Sequence, residues 1–150
     1  MSMERMSIIS IASKITNEDE AYRHLEELRW GKDRSGQVCP HCGEMRKFYF
    51  LTPKEGGSRR TGSAERASKS ARRLWKCADC RLQFSVTTGT IFHASHVSLR
   101  VWLMVIFEMC ANKNGLAARE VERKYDLTPK TAWFVLHRIR EAMKKEPLVS

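Results

Sequence analysis

Four of the five cysteines in this 150-residue chain fall into two pairs of identical spacing, Cys39-Pro40-His41-Cys42 and Cys77-Ala78-Asp79-Cys80. Two thiolates at C-x-x-C spacing can grip one side of a metal ion, and a second pair completes a tetrahedron. Zinc suits such a site, because it has no d-electron geometric preference and binds thiolate sulfur well. Gly43 directly follows the first pair and can take the positive φ that such a knuckle often needs. An apolar, strand-favouring run follows each pair: Phe48 to Leu51, and Phe84 to Thr87. Two knuckles, each feeding a strand, describe a zinc ribbon. Cys39, Cys42, Cys77 and Cys80 are its expected ligands for one structural Zn2+. Four cysteines leave no open position for a catalytic water.

A lone C-x-x-C is also the pattern of a redox centre, and four cysteines can close two disulfides. Two knuckles in one small domain favour the metal. No secretory segment precedes the cysteines, which places the chain in a reducing cytosol. His41 lies inside the first knuckle and reads as solvent-facing. His93 and His96 could replace a cysteine, although nothing requires it. Cys110 sits on an apolar helical stripe and reads as core. The gap between the knuckles is long, but closing a longer surface loop costs only about 0.6 kcal/mol per doubling.

The length suits one ordinary domain or two small ones. No apolar run approaches the ~18 residues of a membrane span. The net charge is +10 and the pI about 9.7, which points to a polyanionic partner, usually nucleic acid. The charge is uneven. Residues 1–38 carry six basic and seven acidic side chains, residues 54–73 seven and two, and residues 98–145 ten and five. The positive charge therefore lies between the knuckles and in the C-terminal third.

The elements that must position these groups follow from local pattern. Residues 1–16 form an arm with no clear period. Asn17 caps a helix with Glu20 three residues on, as in a capping box, and with acidic residues in the first turn. Ala21, Leu25, Leu28 and Trp30 give this helix an apolar stripe that should lie against the ribbon. The basic insert, residues 53–73, is rich in Gly, Ser, Ala, Arg and Lys, and reads as a mobile loop. Arg81 to Thr87 alternates as a strand. Ser98 caps a helix that runs to about Asn112, with Gly115 as its stop. Its side chains are apolar nearly all round, so deep burial is expected. A short helix follows, with Ala117, Val121 and Tyr125 on one face. Asp126 then takes the place of a turn glycine, since Asp tolerates the left-handed region. Thr128 and Pro129 start a last helix to about Lys144. Ala132, Leu136, Ile139 and Met143 face its core, and Val135 and Trp133 widen that stripe.

A buried helix, a short helix, a tight turn and a longer helix describe a helix-turn-helix over residues 98–146. The fold class expected is α+β: a small four-cysteine zinc ribbon with a preceding helix over residues 17–97, then an all-α helix-turn-helix domain. The outward face of the last helix carries Lys130, Thr131, Phe134, His137, Arg138 and Glu141. Polar residues near its start are where base contacts arise in this motif. Arg138, Arg140 and Lys144 are candidate phosphate contacts, as are Arg72 and Arg73 at the end of the insert.

Several words of the sequence resemble one family: Arg29-Trp30, Val38-Cys-Pro-His-Cys-Gly43, Trp75-Lys-Cys-Ala-Asp-Cys80, Gln83-Phe-Ser-Val86, Thr88-Gly-Thr-Ile-Phe92, Lys130-Thr-Ala-Trp-Phe134 and Leu136-His-Arg-Ile-Arg140. They are similar to the N-terminal region of bacterial insertion-sequence transposases that begin with a zinc ribbon. The resemblance runs over roughly residues 17–145. It implies DNA transposition, with binding of double-stranded DNA at terminal inverted repeats, a cytoplasmic and nucleoid-associated protein, and a homo-oligomer through transposase assembly. In that family an RNase-H-like domain with acidic residues and two divalent ions then cuts and joins strands. The chain stops at Ser150, where that domain would begin. The expectation is therefore a truncated, non-enzymatic DNA-binding portion. The alternative is a free-standing zinc-ribbon regulator or a protein-docking adaptor. A nuclease or redox enzyme is the least favoured reading.

Overall fold

A computed structural model of the chain describes residues 7–51 and 73–144. Most of the basic insert, with Arg72, lies outside the described residues. The order of elements is α1 (Ile8–Lys14), α2 (Glu18–Trp30), β1 (Phe48–Leu51), β2 (Leu74–Cys77), β3 (Gln83–Phe84), α3 (Leu99–Ala111), α4 (Ala118–Tyr125) and α5 (Pro129–Lys144). They fall into two compact units. One holds residues 15–93, and the other joins the N-terminal residues up to 14 with the chain from residue 94 onward.

The first unit is a three-stranded antiparallel sheet, in the order β1-β2-β3, with α2 against it. Phe48 pairs with Cys77 and Phe50 with Trp75 across β1 and β2, and Trp75 pairs with Phe84 across β2 and β3. Trp30, on the last turn of α2, meets Trp75 and Phe84 edge to face at 6.1 and 6.2 Å between ring centroids. Such contacts contribute about 0.5–1.5 kcal/mol each beyond the area they bury. The Asn17 side chain caps α2 by accepting from the Glu20 N–H at 2.9 Å. The return half of the capping box is displaced by one residue: the Glu20 carboxylate accepts from the hydroxyl and the backbone N–H of Thr16. Those two bonds hold the Glu20 carboxyl below its usual range.

The buried stripe of α2 differs from the expected one. Leu28 is 66% exposed, while Tyr22 and Glu26 are buried. Glu26, only 3% exposed, accepts from the Trp75 indole N–H and from Arg73 Nε, both at 3.0 Å. A carboxylate replaces an apolar side chain here because the sheet presents a buried indole N–H that needs an acceptor. Arg29 donates from Nη1 to the carbonyls of Val86 and Thr88 at 2.6 and 3.0 Å, which fastens α2 to the segment after β3. That segment was expected to continue as strand to Thr87. It turns instead after Phe84, because Ser85 and Thr88 bond each other's backbone and Thr88 Oγ1 accepts the Ser85 N–H. Hydroxyl side chains compete with a sheet ladder in this way.

In the second unit α3 packs on α1 and α5, and α4 packs on α5. Ser98 caps α3 through its Oγ, and the helix ends at Ala111, with Gly115 at φ 77 three residues past the cap Asn112. Only one line of α3 is deeply buried: Leu99, Trp102, Val105 and Glu108. Cys110, expected in the core, is exposed. Glu108 is held by Lys124 of α4 at 3.3 Å. The turn between α4 and α5 places Asp126 at φ 50 and ψ 46, the left-handed conformation expected of it. Ala132, Val135, Leu136 and Ile139 are the buried residues of α5. Trp133 and Met143, expected on the core side, are 57% and 53% exposed. At 100° per residue Trp133 lies about 60° from Leu136 on the far side from Val135, beyond the width that α3 and α4 cover. Among the described residues no helix is long and apolar enough to cross a membrane.

Glu26→Ala should destabilise the ribbon by roughly 3–5 kcal/mol, since it leaves the indole N–H and a nearly buried guanidinium without their acceptor. Urea denaturation followed by tryptophan fluorescence measures this. A loss under about 1 kcal/mol would show that the cluster is not a buried ion pair in solution.

Candidate functional site

The four paired cysteines converge on one point. Their sulfurs all lie within 4.8 Å of one another. Cys39 and Cys80 sulfurs are 3.6 Å apart, and those of Cys42 and Cys77 are 3.7 Å apart. A tetrahedron with Zn–S bonds of about 2.3 Å has edges of about 3.8 Å. A disulfide would need about 2.05 Å. The donor set therefore fits one tetrahedral zinc, and all five cysteines are free thiols. His41, His93 and His96 stand outside the cluster; His41 approaches the Gln83 carbonyl at 3.4 Å instead.

The two knuckles are built alike. In the first, the Cys39 N–H bonds the Glu44 carbonyl and the Gly43 N–H bonds the Cys39 carbonyl, both at 2.9 Å. In the second, the Cys77 N–H bonds the Leu82 carbonyl at 3.1 Å, five residues on as in the first. The Ala78 N–H bonds the Lys47 carbonyl, also at 3.1 Å, and so ties the second knuckle to the residue just ahead of β1. Each knuckle needs a left-handed residue just after its second cysteine. Gly43 supplies it at φ 75, and Arg81 supplies it at φ 60. Gly43 is legible from its residue type and Arg81 is not, although aligning the two C-x-x-C pairs places them at the same position.

The electrostatics of the metal-free thiols show why a cation belongs here. Burial pushes the Cys39 thiol up, but N–H groups of Cys42 and His41 hydrogen-bond its sulfur and bring it down to about 7. At Cys42 the Glu44 N–H favours the thiolate. Partial desolvation and the sulfurs of Cys39, Cys77 and Cys80 outweigh it and push the thiol up to about 12. Cys80 is raised in the same way, with the Leu82 N–H opposing burial and the Cys39 and Cys77 sulfurs. The Cys39 thiolate forms readily, and Cys42 and Cys80 resist joining it. A divalent cation removes that resistance, so zinc uptake displaces protons.

The other candidates lie elsewhere. On α5, Lys130, Phe134 and His137 are exposed and Thr131 and Arg138 half-buried. The His137 ring stacks on Trp133 at 4.8 Å and 9° between planes. Arg140 donates from Nη2 to the Leu116 carbonyl at 3.1 Å, which holds the start of α4. Lys144 pairs with Glu141 at 2.8 Å. Arg73, expected to meet phosphate, has a side chain only 10% exposed. Its guanidinium pairs with Glu26 and Asp19 and sits 4.7 Å over the Phe50 ring.

Residues 16–83 match the family model of the transposase zinc-ribbon domain. An uncharacterised protein in transposable element ISH50 of Halobacterium salinarum is 25% identical over 127 residues, which is 85% of this chain and 36% of that relative. The chain thus spans about a third of the length of the curated relative it matches. No solved structure matches the chain.

Purified protein should carry one zinc per chain, and chelation should unfold residues 15–93, because metal binding and folding are coupled in four-thiolate sites. Cys77→Ala retaining stoichiometric, tightly held zinc and native stability would sink the four-cysteine assignment. Arg81→Gly should stabilise the zinc-loaded ribbon by up to about 1 kcal/mol: it relieves the left-handed penalty and gives back part of that gain through a more flexible unfolded chain. Thermal denaturation at matched zinc decides it, and a lower Tm would mean that the Arg81 side chain contributes a contact outweighing its backbone strain.

Proposed function

From a transposase zinc-ribbon domain at residues 16–83, we propose that this chain is the DNA-binding N-terminal portion of an insertion-sequence transposase. Its duty is to recognise the element's terminal inverted repeats as double-stranded DNA, in the cytoplasm at the nucleoid, within an oligomeric transposase assembly. The ribbon match is the observation that carries this reading. The net charge of +10 supports it.

In this reading α4, the Asp126 turn and α5 act as a helix-turn-helix, with α5 in the major groove. Lys130, Thr131, Phe134 and His137 stand towards the bases near the start of α5, and Arg138 and Lys144 near phosphates. Arg140 and Arg73 serve the protein's own framework through the bonds already described. Zinc holds the ribbon in shape, and no strand-cutting chemistry is assigned to these residues. The four-sulfur site has no open position for water. Asp126 sits in the turn after α4, and Glu141 sits on α5, where it pairs with Lys144.

A second reading, a docking adaptor, is favoured by the exposed apolar side chains of the ribbon: Met45, Tyr49 and Leu82 are all at least half exposed. Salt separates the two. Binding through about three phosphates gives a log–log slope near −2.7, or roughly forty-fold weakening over a four-fold rise in salt. Fluorescence anisotropy with duplexes carrying the element's ends should show that slope. Tight binding to a protein partner with no measurable affinity for any duplex would replace the DNA reading with the adaptor.

A further inference from the structure

On the reading that α5 meets a duplex, we propose that the exposed edge of Phe134, with the Trp133–His137 stack beside it, reads the 5-methyl groups of thymine in the major groove. A helix that met only phosphates would present cations and hydroxyls. The solvent face of α5 also presents two large rings, Trp133 at 57% and Phe134 at 46% exposure. Lys130, Phe134, His137 and Glu141 recur at i, i+4, i+7 and i+11, so they run down one line of the helix, with Trp133 at its flank. The ring of Phe134 therefore sits at the middle of the surface that would enter a groove.

Both rings are already braced. The His137 imidazole lies parallel to the Trp133 indole at 4.8 Å. The Arg138 guanidinium lies 5.3 Å from the Phe134 centroid. Each aromatic ring has one face supported from within the helix, which lowers the ordering cost when it meets a ligand. Lys144 holds the Glu141 carboxylate at 2.8 Å and so offsets the one negative charge on the line.

The ligand feature follows from elimination on chemistry. Phosphate offers an aromatic edge nothing. Base edges in the major groove present donors, acceptors and one apolar group, the thymine methyl. The minor groove presents no methyl and is too narrow to admit a helix. A hydrophobic ring centred on the groove-facing line is therefore matched to thymine. Lys130, one turn earlier, is suited to guanine O6 and N7 or to the adjoining phosphate.

The test uses the full zinc-loaded chain. Duplexes are enriched from a random pool, and the preferred site is then resynthesised with deoxyuridine in place of each thymidine in turn, which removes only the methyl. Binding should weaken about four-fold for each contacted methyl. Phe134→Ala should bind the thymidine and deoxyuridine duplexes equally, with zinc content and helicity unchanged. Lys130→Ala should weaken both duplexes together and keep the methyl penalty. Intact duplex binding with no methyl penalty anywhere, or a penalty that survives Phe134→Ala, overturns the thymine assignment and leaves the DNA reading standing. A Phe134→Ala change in sedimentation mass with the penalty intact likewise overturns it, in favour of a contact between copies of the chain. Failure to enrich any duplex overturns both.

Discussion

Four thiolates gathered within a few ångströms repel one another, and the ribbon depends on the cation that lets them coexist. The metal-free thiols already express this conflict. Cys39 is brought down to about 7 by the amides of its own knuckle, while Cys42, against the pull of the Glu44 N–H, is driven to about 12 by desolvation and its neighbouring sulfurs. Zinc reverses the sign of that interaction, and each sulfur then helps hold the others. Among the described residues the sheet has three strands, the last of two residues, so backbone pairing alone leaves it marginal. The metal joins the chain on either side of the long insert, beside the Phe48–Cys77 end of the β1–β2 pair.

Around that centre a second constraint organises the ribbon's core. Trp30, Trp75, Phe84 and Phe48 form a chain of edge-to-face contacts, and the Trp75 indole brings a polar N–H into it. Glu26 answers that donor, Arg73 answers Glu26, and Arg34 lies 4.8 Å over the Trp75 ring. Charges thus enter the core in compensating pairs, as burial requires. The same logic accounts for Glu108 and Lys124 in the helical unit, where the carboxylate also raises the Tyr125 phenol, after burial, to about 12. Several basic residues of a strongly basic chain are therefore framework, and net charge overstates what remains for a polyanion.

The helical unit solves a different problem. Asp126 in the left-handed region lets α4 and α5 meet at a tight turn, and Thr128 Oγ1 accepts the Thr131 N–H at the start of α5. Arg140 returns from α5 to the carbonyl of Leu116, just ahead of α4. With both ends of the pair fastened, the exposed face of α5 carries cations and braced aromatic rings. Its relation to function rests on the ribbon's likeness to transposase zinc ribbons and on the chemistry of that face.

The two cysteine knuckles, the caps at Asn17 and Ser98, the strand after the first knuckle and the left-handed Asp126 were all legible in the residues, because each depends on neighbours within a few positions. Spacing alone specified that Cys39, Cys42, Cys77 and Cys80 are two equivalent grips. What local pattern left open was which side of each element is covered. Leu28, Cys110, Trp133 and Met143 read as core by periodicity and are exposed, while Glu26, which lies outside the expected apolar stripe, is buried. A helix stripe states that a face is apolar; the width of the partner laid against it decides how much of that face leaves water. The assignment of Arg73 to a buried carboxylate, and of Arg140 to a backbone carbonyl, required partners 47 and 24 residues away. Only the tertiary structure brings such groups within hydrogen-bonding distance, and so only it separates the cations that build this protein from those left facing outward.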